Sequence, residues 1–385
     1  MRIGIDIRCL AEGKRTGVEE YTLALLKAVF ERDQTNEYIL FFNAWRSEEV
    51  DFSWVDMYPN VTLRVFHFPN KLFNLSLWYF GFPKLDRLVG GTDVFFLPNL
   101  NFAAVSQDTE LVVTAHDVSF ELFPEMFSWK QRIWHYLVNF RGLVRRADRV
   151  IAVSHSTKGD LMTEYRVPAE KIFVVHSGIE KRFRRLDRND PELLRVKEKY
   201  HLPYRFILFL GTFEPRKNMS SLIHGYEALL RTGNDVSKKH DLVLAGTRGW
   251  ECQDVFVACE SSLYRDRIRL PGFIADEDKV ALYNLASVFV YPSFYEGFGF
   301  PPLEAMACGV PVVTSHSSAL SEVVGKASIM IDPYQPEELY LALQSVLENQ
   351  ELSARMQKDG LAQATQFSWE KAAKETINVF LAKGN

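Results

Sequence analysis

Ser293-Phe294-Tyr295-Glu296-Gly297-Phe298-Gly299-Phe300-Pro301-Pro302-Leu303-Glu304-Ala305-Met306-Ala307-Cys308-Gly309 follows the apolar, β-branched run Ser287-Val288-Phe289-Val290-Tyr291. The run reads as a buried strand, and Pro301 or Pro302 opens a short helix that ends near Gly309. A strand is thereby joined to a helix through a glycine-containing loop. Glu296, ahead of the loop, and Glu304, in the first helical turn, both stand beyond the strand's carboxyl end, where an open α/β sheet binds its ligands.

The same strand-to-helix pattern spreads outward from this stretch in both directions. Strand-like runs at 205–211, 241–246, 268–273, 311–314 and 327–331 alternate with amphipathic helices such as 278–285 and 336–347. Short strands separated by helices imply a parallel sheet with right-handed crossovers. The first half repeats the pattern: a strand at 2–8, a polar loop at 12–16, a helix from Gly17, then strands at 37–42, 61–68, 93–97, 110–115, 149–153 and 171–178. A helix is expected over 130–146, with Trp134, Tyr136, Leu137 and Phe140 on its apolar positions. At 385 residues the chain is too long for one core. The highly charged stretch 180–200 marks the boundary between an N-terminal domain, 1–180, and a second domain, 205–368, with a linker at 181–204. Both halves read as α/β, doubly wound and Rossmann-like.

Global properties exclude several classes of function. A net charge of -4 and a pI near 6.2 give no electrostatic reason to expect nucleic acid. Cys9, Cys252, Cys259 and Cys308 have neither paired nor metal-ligand spacing, no signal pattern precedes Arg2-Ile3-Gly4, and no apolar run approaches the length of a membrane span. A cytoplasmic protein is expected. The dinucleotide fingerprint G-x-G-x-x-G is absent, which argues against a nicotinamide or flavin enzyme. The stretch from Asn70 to Lys84 is dense in aromatics, carries lysines near both ends and has no acidic residue. It reads either as a helix packed on the sheet or as a surface for a membrane or a lipid-bearing acceptor.

Five elements fall at strand-to-helix junctions: Gly17, His116, the run Gly211-Thr212-Phe213-Glu214-Pro215-Arg216-Lys217-Asn218, the run Pro271-Gly272-Phe273, and Glu296 to Glu304. Each has a plain structural reading: a glycine eases a turn, a histidine closes a loop hydrogen bond, and surface cations are solvated. Together they suggest more. Arg216 and Lys217 before a helix start suit an anion, and carboxylates accept from sugar or ribose hydroxyls. A nucleotide sugar has both needs. Two glutamates also raise the reading of a glycoside hydrolase, whose carboxyls lie roughly 5 to 9.5 Å apart. Eight helical steps would separate these two by about 12 Å, and a hydrolase leaves the cations without a task.

The stretch from Glu296 to Glu304, with seven residues between the glutamates, resembles the signature of the retaining family 4 glycosyltransferases with the GT-B fold. The flanks Ala286 to Ser293 and Ala305 to Val313 match as well. His116-Asp117-Val118-Ser119-Phe120 and Arg15-Thr16-Gly17-Val18-Glu19-Glu20-Tyr21-Thr22 resemble the branch that holds mannosyl- and rhamnosyltransferases of surface-polysaccharide biosynthesis. The resemblance implies two Rossmann-like domains with a donor cleft between them and a C-terminal segment, 369–385, returning to the first. It implies that Glu296 accepts from the donor sugar's hydroxyls and Glu304 from the ribose, and that Lys217 meets the diphosphate. Where the family places its partner arginine, this chain has Thr212, so Arg216 stands as the substitute. Gly17 would admit the phosphates, His116 would contact the sugar, Gly272 and Phe273 would border the base, and Gly297, Phe298, Gly299, Phe300 and Leu303 would meet sugar and phosphate. The implied donor is GDP-mannose, with a UDP-hexose as the alternative, and the acceptor a saccharide or lipid-linked saccharide. Neither cofactor nor metal is implied, since two cations take the charge-neutralising task. Peripheral membrane contact falls to 71–84. A non-catalytic nucleotide-sugar-binding protein is the alternative from another class.

Overall fold

Buried, mostly apolar strands are what a parallel sheet covered by helices on both faces requires, and of thirteen strands the four at the sheet edges are partly exposed while the other nine are buried over nearly their whole length, among the described residues. In the computed structural model of the protein these are residues 1–12, 17–45, 50–231 and 235–382. The loop expected at 12–16, including Arg15 and Thr16, lies almost wholly outside them, as does the end of the 369–385 segment.

The chain forms two compact units. The first comprises Met1–Phe120, Trp129–Gly178 and Ser368–Asn385, the second Glu121–Ser128 and Ile179–Phe367. In the first, β1 (Arg2–Asp6), β2 (Glu37–Asn43), β3 (Val61–Phe66), β4 (Val94–Leu97), β5 (Glu110–Ala115), β6 (Arg149–Ala152) and β7 (Ile172–Val174) form one parallel sheet in the order β3-β2-β1-β4-β5-β6-β7. The second holds β8 (Phe206–Leu210), β9 (Asp241–Ala245), β10 (Ile268–Gly272), β11 (Val288–Tyr291), β12 (Val312–Ser315) and β13 (Ile329–Ile331), also parallel, in the order β10-β9-β8-β11-β12-β13. Both sheets are doubly wound, as the alternation of short apolar runs and helices predicts. In each, the winding direction reverses once, between β1 and β4 and between β8 and β11.

The last helix, Trp369–Leu381, belongs to the first unit. Its buried Ala372, Ala373, Thr376, Val379 and Phe380 form one stripe, and it packs on the helix Gly17–Arg32 with Trp369 against Tyr21 at 5.8 Å and Phe380 against Phe96 at 5.1 Å. The segment Glu121–Ser128, although flanked by first-unit chain, packs within the second. There Trp250 Nε1 donates to the Met126 carbonyl at 2.6 Å, Phe127 stacks on Trp250, and Phe123 meets Tyr295.

One local expectation fails. The helix expected over 130–146 is two, Trp129–Val138 and Phe140–Arg146, because Asn139 adopts left-handed backbone (φ 51) and caps the second by accepting from the Gly142 amide. Trp134 and Tyr136 are consequently exposed rather than core residues.

The strand ends of the second unit are drawn together by glycines. Gly246 (φ +137) donates to the Gly272 carbonyl at 2.8 Å, Gly211 donates to Ala245, and a Cβ on Gly246 would stand 1.9 Å from the Gly211 oxygen. Gly246→Ala is therefore expected to lower the thermal unfolding midpoint by at least about 4 °C, from strain and overlap together costing about 2 kcal/mol or more. Differential scanning calorimetry reads this directly.

Candidate active site

The loops after β8 and β11 leave neighbouring strands at the reversal point of the second sheet, the place where an open α/β sheet has a crevice. The β8 loop makes a short 3₁₀ turn, Pro215–Lys217, and then Asn218 turns the chain in left-handed backbone (φ 55) into the helix Met219–Arg231. Asn218 Nδ2 donates to the carbonyls of Pro292 and Pro333, fastening one loop to the other. The β11 loop ends at Gly299, whose φ of +113 and close approach to Leu320 require glycine, and the helix Phe300–Ala307 follows. Pro301 and Pro302 suit its first turn because those amides have no intrahelical partner. They also have no N–H, so backbone donors in this loop are limited to the other residues between Gly297 and Leu303.

Between the loops lies a buried charge cluster. Glu296 Oε1 accepts from Lys217 Nζ at 2.6 Å and from Ser293 Oγ at 2.5 Å, while Oε2 accepts from Arg216 Nη1 at 2.9 Å. Lys217 Nζ also donates to the Tyr291 hydroxyl at 2.6 Å, and Arg216 donates to the Tyr295 carbonyl and lies 3.4 Å from Glu214. The Glu296 amide donates to Ser318 Oγ at 2.7 Å. Burial alone would raise the Glu296 carboxyl, but Arg216 and Lys217 beside it, with the hydrogen bonds from Lys217 and Ser293, bring its pKa down to about 2. The same burial, with Glu296 next to it, pushes the Tyr291 phenol well above its ordinary value, so its oxygen stays a neutral acceptor for Lys217. Glu304, expected in the first helical turn, stands instead in the second turn of the helix Phe300–Ala307, because that helix begins at Phe300, ahead of the two prolines; it is buried there and accepts from the Tyr283 hydroxyl at 2.7 Å.

The structure thus brings Arg216, Lys217 and Glu296 into direct contact and sets Gly297, Phe298, Gly299, Phe300, Leu303 and Glu304 on the same loop and helix. Gly272 and Phe273 lie at the carboxyl end of the edge strand β10, Gly272 in left-handed backbone (φ +79) and Phe273 exposed. Gly17 and His116 belong to the first unit. Gly17 opens its helix, and a Cβ there would meet open space. His116 follows β5, lies edge-on to Tyr21 at 4.6 Å, and has Nε2 2.8 Å from the Pro98 carbonyl. A carbonyl only accepts, so Nε2 carries the proton. Burial lowers the imidazole's pKa, against the smaller effects of Pro98 and Asp117, and the ring is neutral.

Sequence reasoning missed Tyr291, Ser293 and Ser318. Tyr291 was counted as strand hydrophobe, though it shares strand parity with Ser293; Ser318 carries no local signal. The sequence holds one Asp-x-Asp triplet, Asp276-Glu277-Asp278. Asp276 pairs with Arg182 and Lys279, and the fully buried Asp278 accepts from Arg195, Lys199 and Tyr200. These carboxylates are occupied by cations and anchor the helix Pro191–Lys199.

The model of "Glycosyltransferase Family 4" matches residues 15–183, and that of "Glycosyl transferases group 1" matches 191–363. The O-antigen chain mannosyltransferase B of Escherichia coli is 34% identical over 281 residues, 73% of this chain and 72% of that protein. The chain belongs to glycosyltransferase family 4. This glycosyltransferase is also 31% identical over 271 residues to the serotype-specific mannosyltransferase WbdA of Escherichia coli, covering 70% of this chain and 33% of that longer protein. Its fold is GT-B. Sucrose-phosphate synthase from Thermosynechococcus elongatus superposes with a TM-score of 0.75 at 18% identity, covering 99% of this chain and 98% of the other. WaaG, a glycosyltransferase involved in lipopolysaccharide biosynthesis, gives 0.71 at 14% identity over 99% and 100%. The protein is a hexosyltransferase, and among its described residues no helix is long and apolar enough to cross a membrane.

Because the folded-state pKa of Glu296 lies below the unfolded one, its ionised form stabilises the protein. That contribution is complete above pH 4.5 and is lost as pH falls through 2. In urea titrations the stability advantage of the wild type over Glu296→Gln should be constant near neutrality and shrink across this window. An advantage that persists unchanged at the acid end would contradict the ion-pair geometry.

Proposed function

We propose that this enzyme transfers a mannosyl unit from GDP-mannose to a saccharide or lipid-linked saccharide acceptor, with retention of anomeric configuration and without a metal, in the cytoplasm. The observation that carries the reading is the buried cluster of Arg216, Lys217 and Glu296 at the reversal point of the second sheet. The choice of mannose is supported by the O-antigen chain mannosyltransferase B at 34% identity.

Glu296 is held ionised by two cations, with a pKa near 2. A glycosidase acid needs the opposite, a carboxyl raised toward neutrality, so the cluster suits acceptance of donor-sugar hydroxyls. Glu304, already oriented by Tyr283, suits the ribose hydroxyls. Arg216 and Lys217 neutralise the leaving nucleoside diphosphate, where negative charge develops in the transition state. The bond from the anomeric carbon to the diphosphate breaks, the acceptor oxygen bonds to that carbon on the same face, and the acceptor's proton passes to a leaving-phosphate oxygen. His116, neutral and donating through Nε2 to Pro98, offers Nδ1 as an acceptor for a sugar hydroxyl. In this reading Gly17 admits the phosphates, and Gly272 with Phe273 borders the base.

The test is transfer of labelled sugar from GDP-mannose to saccharide acceptors by the full chain. Glu296→Gln and Lys217→Gln are expected to cut turnover at least about a hundredfold, some 2.7 kcal/mol of transition-state stabilisation, with calorimetry confirming that each variant folds. Near wild-type turnover in either folded variant overturns the assignment, and turnover with UDP-glucose alone overturns the donor. Activity should persist in excess EDTA; complete loss there refutes the metal-free mechanism.

A further inference from the structure

The helix Asn70–Tyr79 turns only Phe73 and Leu77 into the first unit's core. Phe73 lies 6.1 Å from Phe41 and 5.2 Å from Phe68, and the Arg8 guanidinium sits over its ring. The opposite face of such a helix is ordinarily polar. Here it carries Leu72, Leu75 and Tyr79, one stripe at helical spacing, and the following turn adds Phe80 and Phe82. Their exposures are 66%, 52%, 70%, 73% and 64%.

These side chains are held outward by a built turn. Ser76 Oγ donates to the Phe82 carbonyl at 2.5 Å, the Phe80 amide donates to Ser76, and Asn43 Nδ2 fixes the helix start through Asn70 Oδ1 at 2.9 Å. An apolar groove of about 420 Å³ runs beside them between Phe68, Leu72, Phe82 and Leu88.

Charge separates the candidate occupants. Although 49 of the 385 residues are acidic, none lies between Asp56 and Asp86, a stretch that carries Arg64, Lys71 and Lys84 on a chain of net charge -4. A second copy would set like charges against each other. Aromatic and aliphatic side chains rimmed by cations fit the interface of a bilayer with anionic headgroups.

We propose that this face, centred on Leu72, Leu75, Tyr79, Phe80 and Phe82, docks the enzyme peripherally on an anionic lipid bilayer. The proposal deepens the glycosyltransferase reading by giving a lipid-linked acceptor a place of delivery. Arg8, just past the carboxyl end of β1, ties that edge of the first sheet to Phe73 and to the Phe102 carbonyl. His116 stands past the carboxyl end of β5 in the same sheet, with β4 between β5 and β1.

The experiment is co-sedimentation of the full chain with vesicles of phosphatidylcholine, alone or doped with phosphatidylglycerol. The wild type is expected to partition onto the doped vesicles, and Leu75→Asp with Phe80→Asp to lose at least about tenfold of that partition. Lys71→Glu with Lys84→Glu should reduce binding to doped vesicles and leave the weak binding to neutral ones unchanged. Lys71, Leu75 and Phe80 are exposed and Lys84 is half-buried, and calorimetry checks folding. No sedimentation of the wild type with doped vesicles, equal sedimentation of the aspartate variant, or a wild-type dimer that this variant splits would each overturn the proposal. Hydrolysis of GDP-mannose without acceptor is read in parallel: its loss with vesicle binding intact strikes the enzymatic reading alone, and the reverse strikes the docking surface alone.

Discussion

A buried carboxylate shared by two cations governs the second unit. Taking Glu296, Arg216 and Lys217 out of water is costly, and the cost is offset only because each oxygen of Glu296 accepts from a cation and Oε1 from Ser293 as well. With Glu214 beside Arg216, two carboxylates face two cations. The loops after β8 and β11 must then keep their relative positions, since moving either would strand a buried charge. The arrangement fixes the orientation of both cations within the folded chain.

The surrounding backbone serves this constraint. Gly246 lets β9 end against Gly211, Asn218 bonds across to Pro292 and Pro333, and Ser315 and Ser318 fasten the glutamate loop from the next strand. The first unit is organised around a different contact. His116 is held by Pro98 and Tyr21, and Tyr21 in turn touches Trp369 of the last helix. The end of the chain thereby supports the packing around that histidine.

The aromatic helix at 70–79 is covered by the sheet on one face alone. Phe73 and Leu77 pack on the sheet as a core helix would, while the other large apolar side chains stay in solvent. Periodicity cannot separate these outcomes, because a helix that is apolar all round has no preferred face until a neighbouring element covers one.

The sequence by itself determined the doubly wound architecture, the strand-to-helix junctions and the chemical types at them. Continuous apolar runs, glycine loops and helix starts are local signals, and the spacing from Glu296 to Glu304 carried the family. Only the tertiary structure decided that Arg216 and Lys217 both reach Glu296, that Tyr291 and Ser293 complete the cluster, that Asp276 and Asp278 are consumed in ion pairs, and that 121–128 packs in the second unit. These depend on which strands become neighbours. Lys217 and Glu296 are 79 residues apart, and nothing local to either specifies that β8 and β11 pair at the point where the winding reverses.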